Sequence, residues 1–182
     1  MRRELGLEIE WVYFPLHPET PEEGRSLESL FAGRGYDLKV MHERMAALMA
    51  EEGLPYGRRT HTYNSRLAQE LAAWADGQPG GEALHGELYR AYFVDGRNLV
   101  DIDVLVSLAE AAGLAGNEAR QVIEGRTMRE LVDEHWSAST RAGITGVPTF
   151  EAGGYRAVGA QPEEVIRRLV SADPLPKPPV AE

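Results

Sequence analysis

The chemistry open to this 182-residue chain is narrowed first by what its reactive side chains are and how they are spaced. The five histidines, His17, His42, His61, His85 and His135, are scattered. No pair has the H-x-x-x-H spacing that turns two imidazoles toward one metal, so neither a metal site nor a metal cofactor is expected. Cysteine is absent. That removes cysteine nucleophiles, disulfides and thiolate metal sites from this chain. No G-x-S-x-G elbow presents a serine, and Gly153-Gly154 lacks the lysine and helix start of a phosphate loop. No catalytic residue and no cofactor is therefore assigned.

One segment stands out: Gly143-Ile144-Thr145-Gly146-Val147-Pro148-Thr149-Phe150. Proline removes one N–H from a ladder, so Pro148 must sit at the start or edge of a strand. An X-Pro bond also has access to the cis form. A cis bond there would turn the backbone of Val147 outward, with its N–H and C=O free to pair with an extended peptide or a small peptide-like ligand. A plain strand-initiating loop fits the same residues. The other notable side chains read as structural. His135 lies on the apolar face of a helix and is expected to be packed. Met41, Met45 and Met128 have core-facing spacing, with Met49 beside them. Asn64-Ser65 reads as a helix N-cap. Trp74 and Trp136 are expected to pack between helices.

The elements that position these residues are legible from periodicity and punctuation. Arg2 to Leu5 with Gly6 reads as the last turn and glycine cap of a helix. Leu7 to Leu16 reads as a strand, with Ile9, Trp11 and Tyr13 alternating, ended by Pro15 and Pro18. His17 to Ser26 is a polar loop, and Leu27 to Phe31 a short helical turn. Asp37 caps a helix carrying Leu38, Met41, Met45 and Leu48 up to Gly53. Helices follow over about 64–76, 82–94, 101–112, 116–124 and 127–141. Thr149 to Glu151 and Tyr155 to Val158 form a hairpin about Gly153-Gly154. A last helix begins near Pro162. Asp173 to Glu182 is proline-rich and reads as disordered.

Composition bounds the partners. Lys and Arg number 19 against 29 Asp and Glu, a net charge of −10. An acidic chain is a poor match for a nucleic-acid backbone or an anionic membrane surface. No run approaches a membrane span, and the N-terminus has no signal-peptide stretch, so the cytoplasm is the expected location. Strand, helical block, two strands and helix together give an α/β class with a small mixed sheet.

Gly143 to Phe150 resembles the G-V-x-G-V-P-T-F signature of the DsbA-like thioredoxin-fold family, which includes FrnE-like proteins and 2-hydroxychromene-2-carboxylate isomerases. Glu10 to Leu16 and His17 to Gly24 look like that family's second strand and following loop. Tyr63-Asn64-Ser65-Arg66-Leu67-Ala68 looks like the helical-domain segment facing the active site. Tyr155 to Pro162 looks like the last hairpin. The resemblance covers about Leu7 to Val170. It implies a thioredoxin-like fold interrupted by a helical domain. Residues 1–36 and 143–171 would form a partial thioredoxin-like core, 37–142 the helical insertion, and 172–182 a disordered tail. The implied activity is thiol–disulfide exchange, with the proline equivalent to Pro148 cis and the residue equivalent to Val147 offering its backbone to substrate. The residues implied to line the site are Val147, Pro148, Gly146 and Thr145, with Phe14, His17 and Asn64 beside them.

The family's C-x-x-C motif has no counterpart here. The first strand and most of the first helix would be missing, which would account for Arg2 to Gly6 as a helix stub. The expectation is a shortened sequence, through a misassigned start or a fragment, with a redox-dead variant as the alternative. As written, the chain is expected to be redox-inactive, because no side chain forms a mixed disulfide. Two other readings stand beside it: a non-catalytic binder of a peptide or a small thiol such as glutathione, and a relative of the glutathione-dependent isomerases or transferases. An exposed sheet slot would favour a homodimer.

Overall fold

The computed structural model describes residues 1–171, as two compact units, Met1–Leu16 with the segment from His135 onward, and His17–Glu134. The expected disordered tail lies outside the described residues.

In the first unit, α1 (Arg2–Leu5) ends at Gly6, whose φ of 62° is the left-handed cap expected of glycine. β3 (Thr149–Ala152) and β4 (Tyr155–Val158) pair antiparallel, Thr149 opposite Val158 and Ala152 opposite Tyr155. Gly153 and Gly154 both have positive φ, 56° and 81°, which suits the right-handed twist of a two-residue hairpin. α9 (Glu163–Val170) packs on this hairpin and buries Leu169. Arg167 of α9 makes ion pairs with Glu163, one turn back, and with Glu4 of α1. The hydrogen bonds from Arg167 hold the Glu4 carboxyl below its ordinary value.

The second unit carries most of the buried residues. β1 (Arg25–Ser26) pairs antiparallel with β2 (His61–Thr62). The same unit holds α2 (Leu27–Phe31), α3 (Leu38–Glu51), α4 (Arg66–Ala75), α5 (Ala83–Phe93), α6 (Ile102–Ala111), α7 (Gly116–Gly125) and the first residues of α8 (Arg129–Arg141), with α4 to α7 packed on one another. Leu71, Leu84, Leu105, Ile123 and Val132 are fully buried and form the centre of the core. Burying such side chains is the main driving force for the fold. Asp37 and Asp101 cap α3 and α6 as their positions predict. The Asp101 carboxylate accepts from Asp103 N at 2.9 Å and Val104 N at 3.2 Å. Asp101→Ala is expected to cost about 1 kcal/mol, read as a lower denaturant midpoint with unchanged slope.

Glu70 sits among the apolar residues of α4, wholly shielded from solvent. Arg66 Nε donates to Oε1 at 2.5 Å. Arg126, at the end of α7, donates from Nε to Oε2 and from Nη2 to Oε1, both at 2.7 Å. Arg66 also donates to Asp133 Oδ1 at 2.6 Å and to the Arg129 carbonyl at 2.8 Å. The Glu70 carboxylate thus ties α4 to the end of α7, and the Arg66 guanidinium ties α4 to the start of α8.

Two expectations are corrected. Leu7 to Leu16 is not a strand: the sheets among the described residues are β1 with β2 and β3 with β4. Ile9, Trp11, Val12 and Leu16 are all exposed, so the alternation buries no face. A strand needs a ladder partner, and this segment has none among the described residues. Instead Tyr13 stacks on His135 with centroids 5.6 Å apart, and Tyr13 N donates to His135 Nδ1 at 3.3 Å. The methionines of α3 are not core. Met41 and Met45 are 39 % and 43 % exposed, and α3 has no fully buried residue. Leu38, His42, Ala46 and Met49 turn partly inward in their place.

Candidate functional site

The loop from Gly143 to Phe150 is built by its neighbours. α8 closes with Ala142 N on the Ala138 carbonyl at 2.9 Å and Ile144 N on the Ser139 carbonyl at 3.0 Å. Arg156 of β4 donates to the Ala142 carbonyl at 2.9 Å and to Glu151 at 2.6 Å, joining the end of α8 to the hairpin. The Thr149 hydroxyl donates to the Gly146 carbonyl at 2.7 Å, folding the chain back across Val147 and Pro148. Gly159 N donates to the Pro148 carbonyl at 2.8 Å, tying the loop to the end of β4. The Val147–Pro148 peptide bond is cis.

These contacts leave Val147 with its polar backbone unused, as they do Thr145 two residues before it. Neither Val147 N–H nor its C=O has a partner among the described residues. The residue is 49 % exposed, and Thr145 and Pro148 beside it are exposed too. An unused donor and acceptor on one exposed residue are what a pairing peptide backbone requires. Phe14, in the same unit, is half-buried, and its carbonyl accepts from Leu16 N at 3.1 Å.

His17 and Asn64 belong to the other unit. The Asn64 side chain uses both ends on backbone. Nδ2 donates to the Pro18 carbonyl at 3.1 Å and the Thr20 carbonyl at 2.9 Å, and Oδ1 accepts from Arg66 N at 2.9 Å. It therefore pins the loop after His17 and also opens α4. His17 lies 3.9 Å from Glu19, and its carbonyl accepts from Thr20 N at 3.1 Å. The bracing hydroxyl of Thr149 and the closing amide of Gly159 escape sequence reading. The only hint was the position of Thr149 directly after the proline.

Among the described residues there is no group of three or more His, Cys, Asp or Glu that could hold a metal. No helix among them is long and apolar enough to cross a membrane.

A β-hairpin, a cis-proline loop directly before it and a helical unit inserted in the sequence between its flanking segments fit a thioredoxin-like arrangement. The family model of the DSBA-like thioredoxin domain matches residues 1–171, and the chain belongs to that family. A probable DsbA oxidoreductase from Streptomyces coelicolor is 30 % identical with a TM-score of 0.77, covering 88 % of this chain and 75 % of its own. The cytosolic disulfide reductase DsbM from Pseudomonas aeruginosa is 25 % identical with a TM-score of 0.52, covering 74 % of this chain and 69 % of its own. The uncharacterised protein YwbO of Bacillus subtilis (strain 168) is 28 % identical over 91 % of this chain and 82 % of its own length. The protein is thus of the thiol–disulfide oxidoreductase-like class, mixed α/β and helical with little sheet.

Proposed function

We propose that this chain is the ligand-holding part of a DsbA-like fold, taking an extended peptide or a small thiol such as glutathione along the backbone of Val147. The observation that carries the reading is the exposed Val147, with N–H and C=O both unused beside a loop braced by Thr149 and Gly159. Thr145, Gly146, Val147 and Pro148 form the seat, with Phe14 in the same unit; His17 and Asn64, in the other unit, are separate candidates for ligand contact. Its thioredoxin-like part would be 1–36 with 143–171, and 37–142 its helical insertion. The DsbM fold relative has been solved with GSH, which supports a small thiol as ligand. DsbM is cytosolic by its own description, which supports a cytoplasmic location. These 182 residues hold no thiol, so the reading is of binding without exchange.

The test is an amide NMR titration of the full chain with reduced glutathione and with an unstructured apolar pentapeptide. The Val147 amide is expected to shift saturably at millimolar concentrations or below. Thr149→Val, which removes the bracing hydroxyl, is expected to weaken binding roughly two- to tenfold. No shift of Val147 with either probe would sink the proposal.

A further inference from the structure

Arg59 is held on its backbone from both sides. Gly57 N donates to the Phe93 carbonyl at 3.0 Å, and Leu27 N donates to the Thr60 carbonyl at 2.9 Å. A Cβ at position 57 would lie 1.9 Å from the Val94 carbonyl oxygen, so only glycine lets the chain run this close to the end of α5. Thr62 and Tyr92 join their hydroxyls at 2.9 Å. The guanidinium is thereby laid on two rings, 4.4 Å from the Tyr92 centroid and 5.1 Å from that of Phe93. Phe93 in turn stacks on Tyr89, centroids 5.9 Å apart, and Tyr89 is 58 % exposed.

The cation so fixed has no ion-pair partner among the described residues. Nε is sealed from solvent and accepted by nothing, and the Nη atoms, which are not sealed, have no hydrogen-bond or ion-pair partner among the described residues. The contrast is with Arg126, Arg156 and Arg167, each of which meets a carboxylate. In a chain with 29 acidic and 19 basic residues, an ordered arginine left without a carboxylate is not explained by charge balance. Stacking on rings removes side-chain freedom, so little remains to be lost when the fork binds.

We infer that Arg59 is an oxyanion-binding residue that takes a carboxylate carried on an aromatic or apolar body. The two terminal nitrogens donate to the two carboxylate oxygens end-on, as a planar fork does. The exposed ring of Tyr89 supplies the surface for the body of the ligand. This site is argued independently of Val147 and stands or falls without it.

The sealed Nε–H supplies the readout, because shielding slows its exchange with water and keeps its NMR signal visible. The full-length chain is titrated with benzoate, with benzamide as the uncharged analogue and with inorganic phosphate. Benzoate is expected to move the Arg59 Nε–H and the Tyr89 ring signals saturably, with Kd on the order of millimolar. Benzamide is expected to move neither. Arg59→Met keeps the apolar stem and is expected to weaken benzoate at Tyr89 about tenfold or more. Tyr89→Ala, at an exposed position, should weaken it by about a factor of three to ten while the Nε–H signal persists. No benzoate response in the folded wild-type protein, equal response to benzamide, or equal binding of phosphate would each overturn the assignment. Should Arg59→Met not fold, the wild-type and Tyr89→Ala titrations decide it.

Discussion

Replacing Glu70 by alanine is expected to destabilise the protein by about 3 kcal/mol, the low end of what breaking a buried ion pair costs. At this chain length that is a fall in Tm of roughly 6–12 °C. The low end applies because neither arginine is left buried without a partner: Arg126 is 40 % exposed and can turn to water, and Arg66, 15 % exposed, keeps Asp133 and the Arg129 carbonyl. Glu70 itself has no exposure and accepts from both of them. Its loss frees the end of α7, where Arg126 holds a φ of 51°, a conformation that non-glycine residues rarely adopt without support. A double-mutant cycle on Glu70 and Arg126 should show coupling of at least about 0.5 kcal/mol.

The same network gives the stability a pH dependence of defined sign. Burial pushes the Glu70 carboxyl up, but hydrogen bonds from Arg126 and Arg66 outweigh it and leave it below the ordinary 4.5. A lowered folded-state pKa contributes stability that is present above the unfolded value and is lost as pH falls through the folded value. The stability gap between wild type and Glu70→Gln is therefore expected to be full above about pH 4.5 and to close on further acidification. Chemical denaturation of both proteins at pH 7, 5 and 3 measures it. A gap of equal size at pH 7 and pH 3 would refute the assignment.

The second large effect is on activity. Insulin reduction and glutathione-disulfide reduction by the pure 182-residue chain are expected to stay at the blank rate. Exchange proceeds by thiolate attack on a disulfide sulfur through a mixed disulfide, and this chain has no sulfhydryl to attack or to leave. With glutathione added, the rate should equal that of glutathione alone. Turnover by the protein above that background would defeat the redox-silent reading, while the Val147 titration would still report on binding separately.

Composition alone narrows the chemistry of these 182 residues: without cysteine they hold no sulfhydryl of their own for a thiol step. Short-range signals were also readable. Gly6, Asp37 and Asp101 cap helices through contacts with residues at most four positions away, and Gly153-Gly154 turns a hairpin through its own backbone freedom. The Val147-Pro148 loop stood out for the same reason, since proline and glycine constrain the chain locally. Tertiary structure decided the rest. Arg66 and Glu70 look like an ordinary surface pair at helix spacing until Arg126, 56 positions away from Glu70, closes the network. Leu7 to Leu16 has strand residues but no ladder partner among those described, and a strand is a property of pairs. Met41 and Met45 have core spacing, yet α3 buries neither, because spacing says which residues share a face and not what that face meets. Arg59 carried no sequence signal at all. The proposed role follows from two rings on α5 and from the lack of an ion-pair partner among the described residues, and long-range proximity leaves no local pattern to read.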